Sequence, residues 1–184
     1  MKIENLLNKL LPTCHKIAPN ILLSQGDIDA LNHWSKLSLE LKGDLLEIGC
    51  YQGASTLCAL ESTQGKKQMH SVDINNYETF LPNIKNNGFE KTHSFYHMPC
   101  GKFFAQKHHL KQTYSYIFID HDHSLDNTKL CLENLWPRLE KGGAILVHDY
   151  NHPNYMAATD YLNKHWSLGK QATDFNSEIY VIQK

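Results

Sequence analysis

From residue 43 onward, short apolar runs alternate with longer stretches whose apolar residues recur every three or four positions. Leu45, Leu46 and Ile48 form the first run, Tyr116-Ile117-Phe118-Ile119 the most continuous, and Ala144-Ile145-Leu146-Val147 a third. Runs this short, bounded by glycine and polar residues, read as strands. They predict strands over about 44–49, 69–73, 92–98, 114–120 and 143–149, with a final pair near 170–175 and 178–183. Helices are expected between them over about 53–63, 77–87, 100–111, 125–140 and 154–166. Ahead of this core stand two more candidate helices, about 2–11 and 25–41, the second with Asp27 as N-cap and Ile28, Leu31 and Trp34 at helical spacing. Strictly alternating strands and helices imply an α/β fold with a mostly parallel sheet, doubly wound, with helices on both faces. The last two strands, separated by Asn176-Ser177, suit a hairpin that reverses one strand near the edge.

The first strand runs into Gly49, Cys50, Tyr51, Gln52 and Gly53, and then into a helix start at Ser55. A strand that feeds a glycine turn into a helix is the nucleotide-binding corner of doubly wound folds. A dinucleotide fingerprint needs a second glycine where Tyr51 stands, so that the backbone can approach a pyrophosphate. Glu47, at the strand end, would repel phosphates and attract an ammonium. The corner therefore suits a nucleoside with a cationic tail, of which S-adenosylmethionine is an example. Asp73 closes the next strand about 20 residues beyond the turn, where an acid can accept hydrogen bonds from ribose hydroxyls.

These residues resemble the class I S-adenosylmethionine-dependent methyltransferases, whose first motif is an acid, any residue, Gly, three residues and Gly, followed by Ser. Glu47, Gly49, Gly53 and Ser55 match it. A second block strengthens the resemblance: Ile119-Asp120-His121-Asp122-His123-Ser124, a long helix, Gly142-Gly143, and His148-Asp149. It is similar to a bacterial methyltransferase family with I-D-G-D-H-S-Y-E, P-G-G and H-D at these places. This chain departs at His121, Leu125, Asp126 and Lys141. The resemblance implies a Rossmann-like, seven-stranded sheet with one antiparallel strand near the edge, behind an N-terminal helical prefix. It assigns cofactor contacts to Glu47 (the ammonium, directly or through water), to Gly49, Tyr51 and Gly53 around the methionine part, to Ser55 as helix cap, and to Asp73 on the ribose. Ile74 and Cys100 fall beside the adenine, and Asp120 faces the transferred methyl.

Two readings of the catalytic end stand side by side. In catechol and antibiotic-sugar O-methyltransferases, which this layout resembles, the ends of the fourth and fifth strands bind magnesium; the matching positions here are Asp120, His148 and Asp149. An imidazole in the set shifts preference toward Mn²⁺, Fe²⁺ or Zn²⁺. The other reading is metal-free: Asp120 faces the transferred methyl and His123, or His121, takes a proton from the acceptor.

Composition narrows the rest. A chain of 184 residues is long enough for one domain, with residues 1–42 as prefix and 43–184 as core. A formal net charge of −1, without a Lys/Arg cluster, gives no electrostatic case for nucleic acid or a membrane surface. The N-terminus lacks a signal-peptide pattern, and five scattered cysteines without a CxxC read as reduced thiols, so a cytoplasmic protein is expected. The resulting expectation is methylation of a small molecule, with oxygen as the first choice of acceptor atom, by a protein that dimerises through its N-terminal helices. A nicotinamide-dependent oxidoreductase on the same sheet, and a cofactor-binding protein without turnover, are the alternatives.

Overall fold

The computed structural model describes residues 22–107 and 109–184; the helix expected over 2–11 lies outside them. Seven strands make one sheet: β1 (Asp44–Ile48), β2 (Met69–Asp73), β3 (His93–His97), β4 (Tyr114–Ile119), β5 (Leu139–Val147), β6 (Lys170–Gln171) and β7 (Tyr180–Gln183). Their order is β3-β2-β1-β4-β5-β7-β6. β1 to β5 pair in parallel, and β7 runs antiparallel to both β5 and β6. The strand order reverses between β1 and β4, and a crevice opens at such a switch point beyond the carboxyl ends of the strands.

The alternation along the strands splits the core between the two faces. On one face Leu45, Tyr116, Phe118 and Leu146 pack under helices α1 (Gln25–Leu37) and α2 (Ala54–Ser62), together with Phe80 and Ile84 of α3 (Phe80–Asn86). On the other, Leu46, Ile48, Ile117, Ile119, Ile145 and Val147 pack under α4 (Cys100–Phe104), α5 (Leu125–Leu135) and α6 (Met156–His165). With both faces covered, the central strands carry apolar residues at nearly every position. Among the described residues no helix is long and apolar enough to cross a membrane.

Several boundaries differ from expectation. The helix expected to reach residue 140 stops at Leu135, because Pro137 cannot donate to an α-helical ladder and sits in a 3₁₀ turn, Trp136–Arg138. β5 then starts at Leu139, and Gly142, at φ 89°, allows a bulge between Leu139 and Ala144 against β4. The helix expected over 100–111 ends at Phe104 and resumes only as a 3₁₀ turn at His109–Lys111. The terminal pair is not a two-residue hairpin. β6 has two residues, and the connection contains a 3₁₀ turn, Thr173–Phe175, followed by Asn176 in the left-handed region at φ 54°. Finally, Ser24 rather than Asp27 is the N-cap of α1; Asp27 closes a capping box from its third position.

Candidate active site

The corner after β1 is built around backbone proximity. Gly49 has φ 88°, and a Cβ there would lie 1.9 Å from the carbonyl oxygen of Asp120, so only glycine lets the ends of β1 and β4 meet. Asp73, 9 % exposed, holds the loop from the neighbouring strand. Its Oδ2 accepts from the amides of Cys50 (2.9 Å) and Tyr51 (3.2 Å), and its Oδ1 from that of Asn75 (2.8 Å). A carboxylate has about four lone-pair sites, so these bonds leave acceptor capacity for a ligand.

Glu47 is placed otherwise than the sequence suggests. Its side chain is sealed beneath the loop, accepting hydrogen bonds from the hydroxyls of Ser55, Thr56 and Ser71. Burial pushes its carboxyl up to about 7 against those donors. It does not line the cavity in front of the loop, so a direct contact with a ligand's ammonium is not available to it. Ser55 correspondingly serves Glu47 and does not cap α2, whose N-cap is Gly53 in the left-handed region.

In front of the corner lies a cavity of about 550 Å³ at the switch point. Gly49, Tyr51, Ser55, Asp73, Ile74, Cys100 and Asp120 all line it, while Glu47 and Gly53 stay behind. Ile74 is 65 % exposed there, an apolar side chain presented to the opening with no core to join. Tyr51 is held edge-on to Tyr77, 4.8 Å between ring centres. The Cys100 thiol, hydrogen-bonded by Cys131, is drawn down to about 7 despite burial.

At the ends of β4 and β5, four expected residues converge. His123 Nε2 stands 3.3 Å from Asp120 Oδ1 and 3.4 Å from Asp149 Oδ2. His148 Nδ1 stands 3.2 Å from Asp120 Oδ1 and 3.3 Å from Asp149 Oδ1. Backbone geometry makes this possible, since His123 and Asp149 both take left-handed conformations, at φ 54° and 56°. Asp120, His123 and His148 each offer a ligand atom within 4.8 Å of the others. In the trio expected from the sequence His123 thus takes the place of Asp149, which faces both imidazoles from outside it. Burial disfavours charge on His148, but Asp120 and Asp27 more than offset it and raise the group to about 10. Asp120 is likewise burdened by burial, yet its histidine partners hold it well below the usual carboxylate range. The carboxylates that retain a proton on His148 would equally favour a divalent cation.

The two histidines expected as bases are less well placed to meet a substrate. His121 lines the first cavity, but burial pushes it down to about 4, and its Nδ1 accepts the amide of His123 (2.9 Å). His123 is 9 % exposed, packs against Tyr155 and lines neither the first cavity nor the one beyond it.

That second cavity, of about 520 Å³, adjoins the cluster on the side of α1 and the β6–β7 connection, with His148, Asp149 and Asp27 in its wall. Leu22 lines both cavities. Asp27 departs furthest from the role its sequence suggests. Buried at 3 % exposure, it accepts from Ser24, from the Ser177 hydroxyl (2.6 Å) and from the Glu178 amide (3.2 Å), and it stands 3.5 Å from His148 Nε2. The Ser24-x-x-Asp27 spacing signalled a capping box, but nothing local signalled its partners about 120–150 residues away.

Comparison with known proteins agrees with this architecture. A family profile described as a methyltransferase domain matches residues 46–150. A search of curated protein sequences returns no match. Among solved structures, the O-methyltransferase TomG from Streptomyces achromogenes, in complex with SAM, is similar at TM-score 0.70 and 11 % identity, covering 100 % of this chain and 92 % of that one. An O-methyltransferase from Bacillus cereus, in complex with SAH, is similar at TM-score 0.68 and 13 % identity, covering 98 % and 90 %. A TDP-rhamnose 3'-O-methyltransferase of calicheamicin biosynthesis is similar at TM-score 0.68 and 12 % identity, covering 100 % and 95 %. At these identities the likeness is one of fold.

Proposed function

This chain belongs to the methyltransferase-domain family, and from that premise we propose that it transfers a methyl group from S-adenosylmethionine to an oxygen of a small molecule. One observation carries the reading: a cavity at the switch point, walled by the glycine corner and Asp73, ends at Asp120, beyond which lies the His148–Asp149 cavity. S-adenosylmethionine supplies an electrophilic sulfonium methyl when bound. Asp73 accepts from the ribose hydroxyls with the lone pairs its loop bonds leave free. Ile74 covers the adenine, Cys100 borders it, and the Gly49–Gly53 backbone, Tyr51 included, follows the methionine part. Asp120, whose carboxylate the histidines keep ionised, sits between donor and acceptor.

Transfer then depends mainly on aligning acceptor oxygen, methyl and sulfur. Asp149, in the acceptor cavity's wall, takes the hydroxyl proton as the oxygen–methyl bond forms and the methyl–sulfur bond breaks, leaving the neutral thioether. Asp120, His123 and His148 are the residues that would hold a divalent ion, whose chemistry would be to lower the pKa of the acceptor hydroxyl. Their mixed imidazole and carboxylate set favours Mn²⁺, Fe²⁺ or Zn²⁺ over Mg²⁺.

Calorimetric titration with S-adenosylhomocysteine, with and without EDTA or added Mn²⁺, tests this reading. Micromolar binding is expected, weakened at least ~10-fold, about 1.4 kcal/mol, in Asp73→Ala. Failure of the wild-type protein to bind would overturn the proposal, and binding of NAD(P) in its place would favour an oxidoreductase.

A further inference from the structure

The second cavity has a chemical character of its own, and from it we infer the class of acceptor: a small polyhydroxylated compound carrying a protonated amine. This inference rests on the methyltransferase reading, because it assigns the cavity beyond Asp120 to the acceptor.

The lining of that cavity contains three carboxylates, Asp27, Asp149 and Glu178, and no lysine or arginine among the described residues. The cofactor cavity adds Asp73, Asp120 and Asp122, again without a lysine or arginine among its described lining. A chain of formal net charge −1, with 18 lysines and arginines against 19 acids, has no compositional reason for such a bias, so the charge is concentrated here by the fold. Clefts lined with one sign of charge focus the field and raise the local concentration of the opposite ion, whereas like charges brought together at an interface are strongly disfavoured. The one cation in the wall, His148, is already engaged by Asp27, Asp120 and Asp149, so a phosphate, nucleotide or carboxylate acceptor would enter against this field with no free basic side chain among the described lining to receive it. A cationic one would enter with it.

The acids do not stand alone. His148, 7 % exposed, is part of the same wall, its Nε2 ion-paired with the Asp27 carboxylate across a long 3.5 Å contact that does not amount to a full hydrogen bond. A buried N–H held by so long a contact beside a cavity has capacity left to donate to an oxygen from the cavity. Around the rim Thr173, Asn176 and Glu178 present polar side chains outward. Such a lining suits an acceptor rich in hydroxyls, one of which reaches the Asp120–Asp149 end while the amine meets Glu178. The polar rim is a poor match for a purely apolar ring system, whose burial would strand these groups.

The test uses two matched sets of probes that differ mainly in charge: dopamine, 4-methylcatechol and 3,4-dihydroxyphenylacetate; and glucosamine, glucose and glucuronate. Each is titrated into the protein saturated with S-adenosylhomocysteine, with saturation-transfer NMR as the readout, and each is assayed for methylation with S-adenosylmethionine. The amine of at least one set is expected to bind about tenfold or more tightly than its anionic counterpart, with the neutral compound between them. Glu178→Lys should reverse that order while leaving S-adenosylhomocysteine affinity within about twofold. Preference for the anion, absence of any preference, or an amine preference untouched by Glu178→Lys overturns the inference. If S-adenosylhomocysteine itself fails to bind, the methyltransferase reading has failed instead, and the two failures are told apart by that first titration.

Discussion

Glu47 shows how a motif residue can be structural in its immediate chemistry. Its position at the end of β1 makes it look like a ligand group, yet its carboxylate is occupied by three hydroxyls within the fold. Burial raises its carboxyl from 4.5 to about 7, so the folded protein holds a proton that the unfolded chain releases. Stability therefore falls as pH rises from 4.5 to about 7, since the folded state binds more protons throughout that window. Glu47→Gln removes the charge while keeping the shape. Across that window it should gain about 1–3 kcal/mol relative to wild type, because each tenfold change in proton affinity between the folded and unfolded states is worth about 1.4 kcal/mol. Urea denaturation at pH 5 and pH 8 reads this directly, and a variant difference that does not change with pH would contradict the account. Gly49 is a simpler case. Its requirement was legible from the motif, but the reason, a 1.9 Å approach to the Asp120 carbonyl, belongs to a pair of strands that meet only in the folded sheet.

At the scale of elements, α1 is tied to the end of β5 through one side chain. Asp27 closes the cap of α1, receives Ser177 and Glu178 from the β6–β7 connection, and stands against His148. This explains why the connection is not a tight hairpin: Ser177 and Glu178 turn toward Asp27 rather than extend the β6–β7 ladder. Asp27→Ala weakens the cap and leaves His148, Ser177 and the Glu178 amide short of an acceptor. A loss of about 2–4 kcal/mol is expected from a weakened cap together with a broken buried pair. Ser177→Ala, which spares the cap and His148, should cost only about 1 kcal/mol. Thermal unfolding of the two variants measures the contrast; equal losses would mean that the Asp27–His148 contact and the cap contribute nothing beyond the Ser177 bond.

For the molecule as a whole, the sheet is completed by its last strand in sequence. β7 lies between β5 and β6, with Tyr180 and Ile182 in the core of one face and Val181 in that of the other. Removing residues 180–184 should leave β5 with an open edge and uncover both cores. The truncated chain is expected to lose its cooperative thermal transition and to bind a hydrophobic dye; a cooperative transition within a few degrees of the full chain would show that β7 is dispensable.

What the sequence determined by itself follows from local pattern. Period-two and period-three-to-four alternation defined the α/β order, and the central strands agreed because burial on both faces writes itself as continuous apolar runs. Gly49, Asp73, Asp120, His148 and Asp149 were legible because strand ends in such sheets share one crevice. The tertiary structure decided what depends on distant partners: that Glu47 is sealed, that His123 joins Asp120 and His148 while turning away from both cavities, and that Asp27 reaches across from α1. It also gathered acids from separate elements around a second cavity. Hydrogen bonds and fields act through space, so side chains more than a hundred residues apart in the chain acquire a common chemistry only once the sheet has brought them together.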